Sequence, residues 1–60
     1  MNTPIRNDLI PGSFVKNEEN PQWGIGQIQS SIRNIVTVNF ENVGKKVIDV
    51  KEINLELIIL

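Results

Sequence analysis

From Asn34 to Phe40 the chain alternates dry and wet positions with the two-residue period of a strand. Val36, Val38 and Phe40 share one parity, and Thr37 and Asn39 share the other. Successive side chains leave a strand on opposite faces, so this segment has one apolar and one polar face. Ile35 breaks the alternation at the start. The β-branched and aromatic content suits a pleated, half-buried surface. Just upstream, Trp23-Gly24-Ile25-Gly26-Gln27-Ile28-Gln29-Ser30 reads as the partner strand, with Ser31-Ile32-Arg33-Asn34 as the connection. Gly24 and Gly26 fall on one face, which marks a sharp bend or a close approach of another segment. A hairpin over 25–31 and 34–40 that bends this hard is the seed of a very small barrel.

The remaining pattern supplies three more strands. Ser13–Asn17 is the first, with Phe14 and Val15 on opposite faces, so only one of them enters the core. Glu18–Gln22 is a polar loop punctuated by Pro21. Glu41-Asn42-Val43-Gly44 is a tight turn, with Gly44 or Asn42 suited to positive φ. Lys45–Val50 is the fourth strand, contributing Val47 or Ile48 to the core. Lys51–Asn54 has the length of one helical or 3₁₀ turn, and Leu55–Leu60 is the last strand. Residues 1–12 are polar, carry Pro4 and Pro11, and read as an N-terminal arm from which Leu9 and Ile10 can pack inward. Pro11-Gly12 is the turn that launches the first strand. Five short strands with close, even turns and no amphipathic helix predict an all-β fold. At sixty residues that is a five-stranded SH3-like barrel over 13–60. Its expected core is Val15, Ile28, Val36, Val38, Phe40 and Leu55.

Composition narrows the chemistry. A chain this short buries only ~60% of the surface its unfolded form exposes, so one thin core is the limit. There is no cysteine and no histidine. The usual nucleophiles and bases are therefore missing, and with them the usual zinc ligands, so neither an enzyme nor a cofactor or metal site is expected. No apolar run follows a basic start, and no segment is long enough to span a bilayer, so a cytoplasmic protein without a signal peptide is expected. The net charge of −1 leaves no excess cation for phosphate, so nucleic-acid binding is expected to be weak or absent.

Pro11-Gly12-Ser13-Phe14-Val15, the Trp23–Ser30 block, Val36-Thr37-Val38-Asn39-Phe40, Gly44-Lys45-Lys46-Val47-Ile48-Asp49 and Leu55-Glu56 together resemble a family of very small bacterial proteins of unknown function, over about residues 11–58. The chain departs from that family where relatives tend to carry a His after the first strand. Asn17 stands there. A looser version of the pattern, aromatic-Gly-x-Gly-x-aliphatic followed by V-x-V-x-F and a Gly-Lys start, resembles the C-terminal Tudor-like domain of UvrD/PcrA-type helicases. That resemblance implies an SH3-like, Tudor-like barrel. By analogy it implies a protein-binding adaptor in the transcription or DNA-repair apparatus, with RNA polymerase as partner.

Partner-binding residues are expected on the surface, because side chains fill the interior of so small a barrel. Trp23 either caps the barrel as core or anchors a partner, since Trp is enriched at binding hot spots. Phe14 faces outward if Val15 faces inward, and then meets the Leu9-Ile10 arm or a partner. Gln27, Gln29 and Thr37 share the outward parity of the hairpin. Lys45 and Lys46 sit at its rim. Arg33 lies at the other end of the hairpin, ~20 Å away at ~3.3 Å per residue, which argues against one basic patch. Two alternatives accompany the adaptor reading. One is a weak nucleic-acid-binding barrel using Lys16, Arg33, Lys45 and Lys46. The other is a homodimer through the apolar C-terminal strand, where Leu57, Ile58, Ile59 and Leu60 cannot all face one core.

Overall fold

The computed structural model describes residues 9–59. It contains β1 (Phe14–Asn17), a 3₁₀ turn (Pro21–Trp23), β2 (Gly26–Ile32), β3 (Ile35–Phe40), β4 (Gly44–Asp49) and β5 (Leu55–Ile58). All five strands are antiparallel in one sheet of order β4-β3-β2-β1-β5, and the fold is that of a small SH3-like barrel. No described helix is long and apolar enough to cross a membrane. The expected arm falls partly at residues 1–8, and the expected last strand partly at Leu60, both outside the described residues.

The core follows the parity of the strands. Val15, Ile28, Val36, Val38, Phe40, Ile48 and Leu55 are buried together with Leu9. Ile48, and not Val47, is the fourth strand's inward residue. Val47 is 70% exposed. Val15 and Asn17 point inward from β1, which turns Phe14 and Lys16 outward. Leu9 reaches the core because the chain after it is pinned. Gly12 N–H donates to the Ile28 carbonyl, and Ile28 N–H donates to the Ser13 carbonyl. Ile10-Pro11-Gly12-Ser13 closes as a β-turn, with Ser13 N–H donating to the Ile10 carbonyl and Gly12 at φ 95°. Ile10 itself is exposed.

Gly26 sits in close contact with the side chains of β3. A Cβ there would lie 2.5 Å from Val38 Cγ1 and 2.7 Å from Phe40 Cδ1, so the side-chain-free face provides the close approach that glycine in a strand signals. Gly24 serves differently: it ends the 3₁₀ turn in the left-handed region, at φ 81°.

Four local expectations are corrected. The hairpin loop is not four residues: β2 runs on to Ile32 and β3 starts at Ile35, leaving a two-residue turn, Arg33-Asn34. Arg33 has φ 55°; the two-residue turns that match strand twist need a positive φ, which Gly or Asn usually supplies. Trp23 does not begin a strand but ends the 3₁₀ turn. Gln29 lies in a register shift between Ile28 and Ser30, an extra residue that increases local twist. The fourth strand starts at Gly44, one residue before Lys45. The segment after β4 is the expected single turn, held by Glu52 and Ile53 N–H groups on the Asp49 carbonyl.

Candidate functional site

Parity and register assemble a row across the outer face. Ile58 pairs with Phe14, Phe14 with Gln27, Gln27 with Asn39, and Asn39 with Lys45. The row crosses all five strands. Near its middle lies an open groove of about 480 Å³, lined by Phe14, Ile25, Gln27, Asn39, Glu41 and Asn42 among others. Phe14 supplies apolar area, while Gln27, Asn39 and Asn42 bring amides that can both donate and accept. The Gln27 amide donates to the Gly12 carbonyl at the long distance of 3.4 Å, so most of its hydrogen-bonding capacity stays open.

The wall of the groove is built by the turn after β3. Glu41 N–H donates to the Ile25 carbonyl, and the Glu41 carboxylate accepts Ile25 N–H at 2.8 Å. Asn42 N–H donates to the Trp23 carbonyl, and its side-chain amide donates to the Gln22 carbonyl at 2.9 Å. Gly24 permits this contact, since a Cβ there would stand 2.8 Å from Glu41 Oε1. The turn and the 22–25 segment therefore form one clamped unit.

The predicted residues divide into three pairs and Lys45 on its own. Phe14 and Gln27 meet at the groove. Trp23 and Lys46 form a cap beside it: the Trp23 ring meets the Phe40 ring edge-on at 5.2 Å, packs against the core, and has the Lys46 ammonium 5.2 Å from its centroid. That is cation–π geometry. Gln29 and Thr37 lie further along toward the hairpin tip, with Thr37 between Ser30 and Val47. Lys45 ends the outer row, exposed. Sequence reasoning missed Ile25, Asn39, Glu41 and Asn42. Asn39 was legible, since it shares the outward parity of Thr37. The others were not, because only the folded turn brings them to the 22–25 segment.

Two polar residues away from the groove are structural. Asp49 Oδ1 accepts from the Asn34 side chain at 2.8 Å and from Lys51 N–H at 2.9 Å. The Asn34 bond and then the Lys51 N–H hold the Asp49 carboxyl below its ordinary value against desolvation, and the Lys51 charge adds least. Asn17 is fully buried. Its Oδ1 accepts Glu19 N–H at 2.9 Å, while its Nδ2 has no hydrogen-bond partner among the described residues. Among the described residues no group of three or more carboxylates is placed to hold a metal ion.

The family model described as "Protein of unknown function (DUF3553)" matches residues 9–58, and the chain belongs to that family. The match begins at Leu9, the residue that enters the core. No curated protein and no solved structure matches the chain.

Proposed function

We propose that this DUF3553 domain is a non-enzymatic protein-binding module that takes its partner on the outer face, with Phe14 as anchor. The observation that carries this reading is the groove, where one half-buried aromatic sits among three amides and a clamped wall. An apolar centre with a hydrogen-bonding rim suits a modest protein interface. Phosphate would need free cations, and two of those available are engaged: Lys16 pairs with Glu56 at 3.5 Å, and Lys46 lies over Trp23. The likeness to the Tudor-like domain of UvrD/PcrA-type helicases makes bacterial RNA polymerase the first partner to test.

The test is binding of purified RNA polymerase, alongside capture from nuclease-treated bacterial lysate. Phe14→Ala should weaken binding by more than ~1 kcal/mol. Asn39→Arg, at an exposed position of the groove, should weaken it as well without touching the core. Circular dichroism establishes that each variant is folded. Folded variants that bind as tightly as the parent, or capture that disappears with nuclease, overturn the reading.

A further inference from the structure

Among the described residues β4 is an edge strand, with β3 as its one neighbour. Its hydrogen-bonding phase can be read from the bond that follows it. Val50 N–H donates to the Asn34 carbonyl at 2.9 Å, one step beyond the Ile35–Asp49 pair. Bonded and non-bonded pairs alternate along an antiparallel ladder. Gly44, Lys46 and Ile48 therefore exchange bonds with β3, and Lys45, Val47 and Asp49 turn their backbone groups to the open edge. The Asp49 carbonyl is already taken by Glu52 and Ile53. The same three residues send their side chains to the outer face, where Val47 is 70% exposed and Ile35, opposite Asp49 on β3, is 41% exposed.

An exposed edge with an apolar centre is a template for another strand. What that strand is follows from the order of charges. Lys45, Val47 and Asp49 read cation, apolar, anion along one face and one edge. If a second copy of β4 lies antiparallel with Val47 facing Val47, Lys45 of each copy faces Asp49 of the other. Both ends of the seam then carry opposite charges directly across, a favourable cross-strand arrangement. Both Asn34 and Lys51 bonds fall on Asp49 Oδ1, so Oδ2 can accept from the lysine. Slipping by two residues, the smallest slip that keeps the edge groups facing, sets Lys46 against Lys46 in one direction and leaves Asp49 against Val47 in the other. The central register alone sets Lys45 against Asp49 at both ends.

We propose that this protein forms a symmetric dimer by pairing β4 with β4 of a second copy about a two-fold axis at Val47, sealed by two Lys45–Asp49 ion pairs. The C-terminal edge fits less well. β5 has four residues to the six of β4, and its one charge, Glu56, is paired with Lys16. The reading does not depend on the groove at Phe14.

Sedimentation equilibrium across a wide concentration range tests it. The parent should dimerise, and more weakly at high salt, because the ion pairs are at the surface. Lys45→Glu sets like charges at both ends and should weaken the dimer about tenfold or more. Asp49→Lys alone should do the same, and mixing the two variants should restore a heterodimer, because each then presents the complement of the other. Val47→Lys, at an exposed position clear of the core, should abolish the dimer even if Asp49→Lys fails to fold. In hydrogen exchange the Val47 and Asp49 amides, which meet the free carbonyls of Val47 and Lys45 across the seam, should become protected as concentration rises, while Lys46 and Ile48 stay protected throughout. A strict monomer at millimolar concentration, a dimer unmoved by Lys45→Glu and Val47→Lys, or a dimer lost on deleting Ile59-Leu60 would each overturn the proposal.

Discussion

The Glu41 carboxylate accepts the backbone N–H of Ile25 at 2.8 Å, across a sequence separation of 16 residues. With the reciprocal bond from Glu41 N–H to the Ile25 carbonyl, it fixes the wall of the groove to the segment that carries Trp23. Glu41→Ala should cost about 1 kcal/mol, the usual net worth of one such bond. Glu41→Gln, which keeps an acceptor, should cost less. The urea midpoint measures both, and an unchanged midpoint for Glu41→Ala would show that the clamp does not contribute.

Gly26 faces Val38 and Phe40 with no room for a methyl group. Gly26→Ala should destabilise by about 1–3 kcal/mol, the range for overpacking a tight core. Val38→Ala, from the opposite side of the same contact, should cost ~2 kcal/mol or more. The two variants in combination should be less than additive, since removing the Val38 methyl groups makes the space that the added Cβ needs. A strictly additive double variant would contradict this geometry.

Asp49 gives the fold a dependence on acid. Its carboxyl is held low in the folded state, chiefly by the Asn34 side chain. The stabilisation is therefore complete above the unfolded value of ~3.9 and is lost as pH falls through the lower folded value. Asp49→Asn should flatten the part of the stability profile below about pH 4 that this group contributes. Denaturant curves at stepped pH check it, and a profile unchanged by the substitution would assign the acid dependence elsewhere.

Asn17 is the one buried polar side chain described, and half of its amide is unsatisfied. Asn17→Asp keeps the acceptor for Glu19 N–H but buries a carboxylate, which burial pushes above its ordinary range. The variant should be least stable above its raised folded value. It should recover as pH falls, with the penalty gone below the unfolded value of ~3.9. A variant equally stable at pH 3 and pH 7 relative to the parent would mean that water reaches the site.

Alternation alone determined much of this protein. The parity of Val36, Val38 and Phe40 fixed which face of β3 is core, because a one-residue slip would put all three in water. Ile28 and Leu55 followed from the same rule, as did the outward turn of Gln27; parity allowed only one of Phe14 and Val15 inside, and the fold put Val15 there. Gly26 announced a bend or a close approach, and the turn after β3 a positive φ at Asn42 or Gly44, which the fold places at Gly44. Where two apolar neighbours competed, as Val47 and Ile48 did, parity could not choose, and the β3–β4 register did. The Arg33 turn was hidden because arginine carries no sign of a positive φ; the strand ends at Ile32 and Ile35 imposed it. The groove and the open edge of β4 belong to the tertiary structure entirely. Glu41 and Asn42 reach Ile25, Trp23 and Gln22 because the β2–β3 register carries the pairing on past Gly26 and Phe40. The Lys45-Val47-Asp49 edge is exposed only because the strand order places β4 last, and strand order is set by long-range pairing that no local pattern encodes.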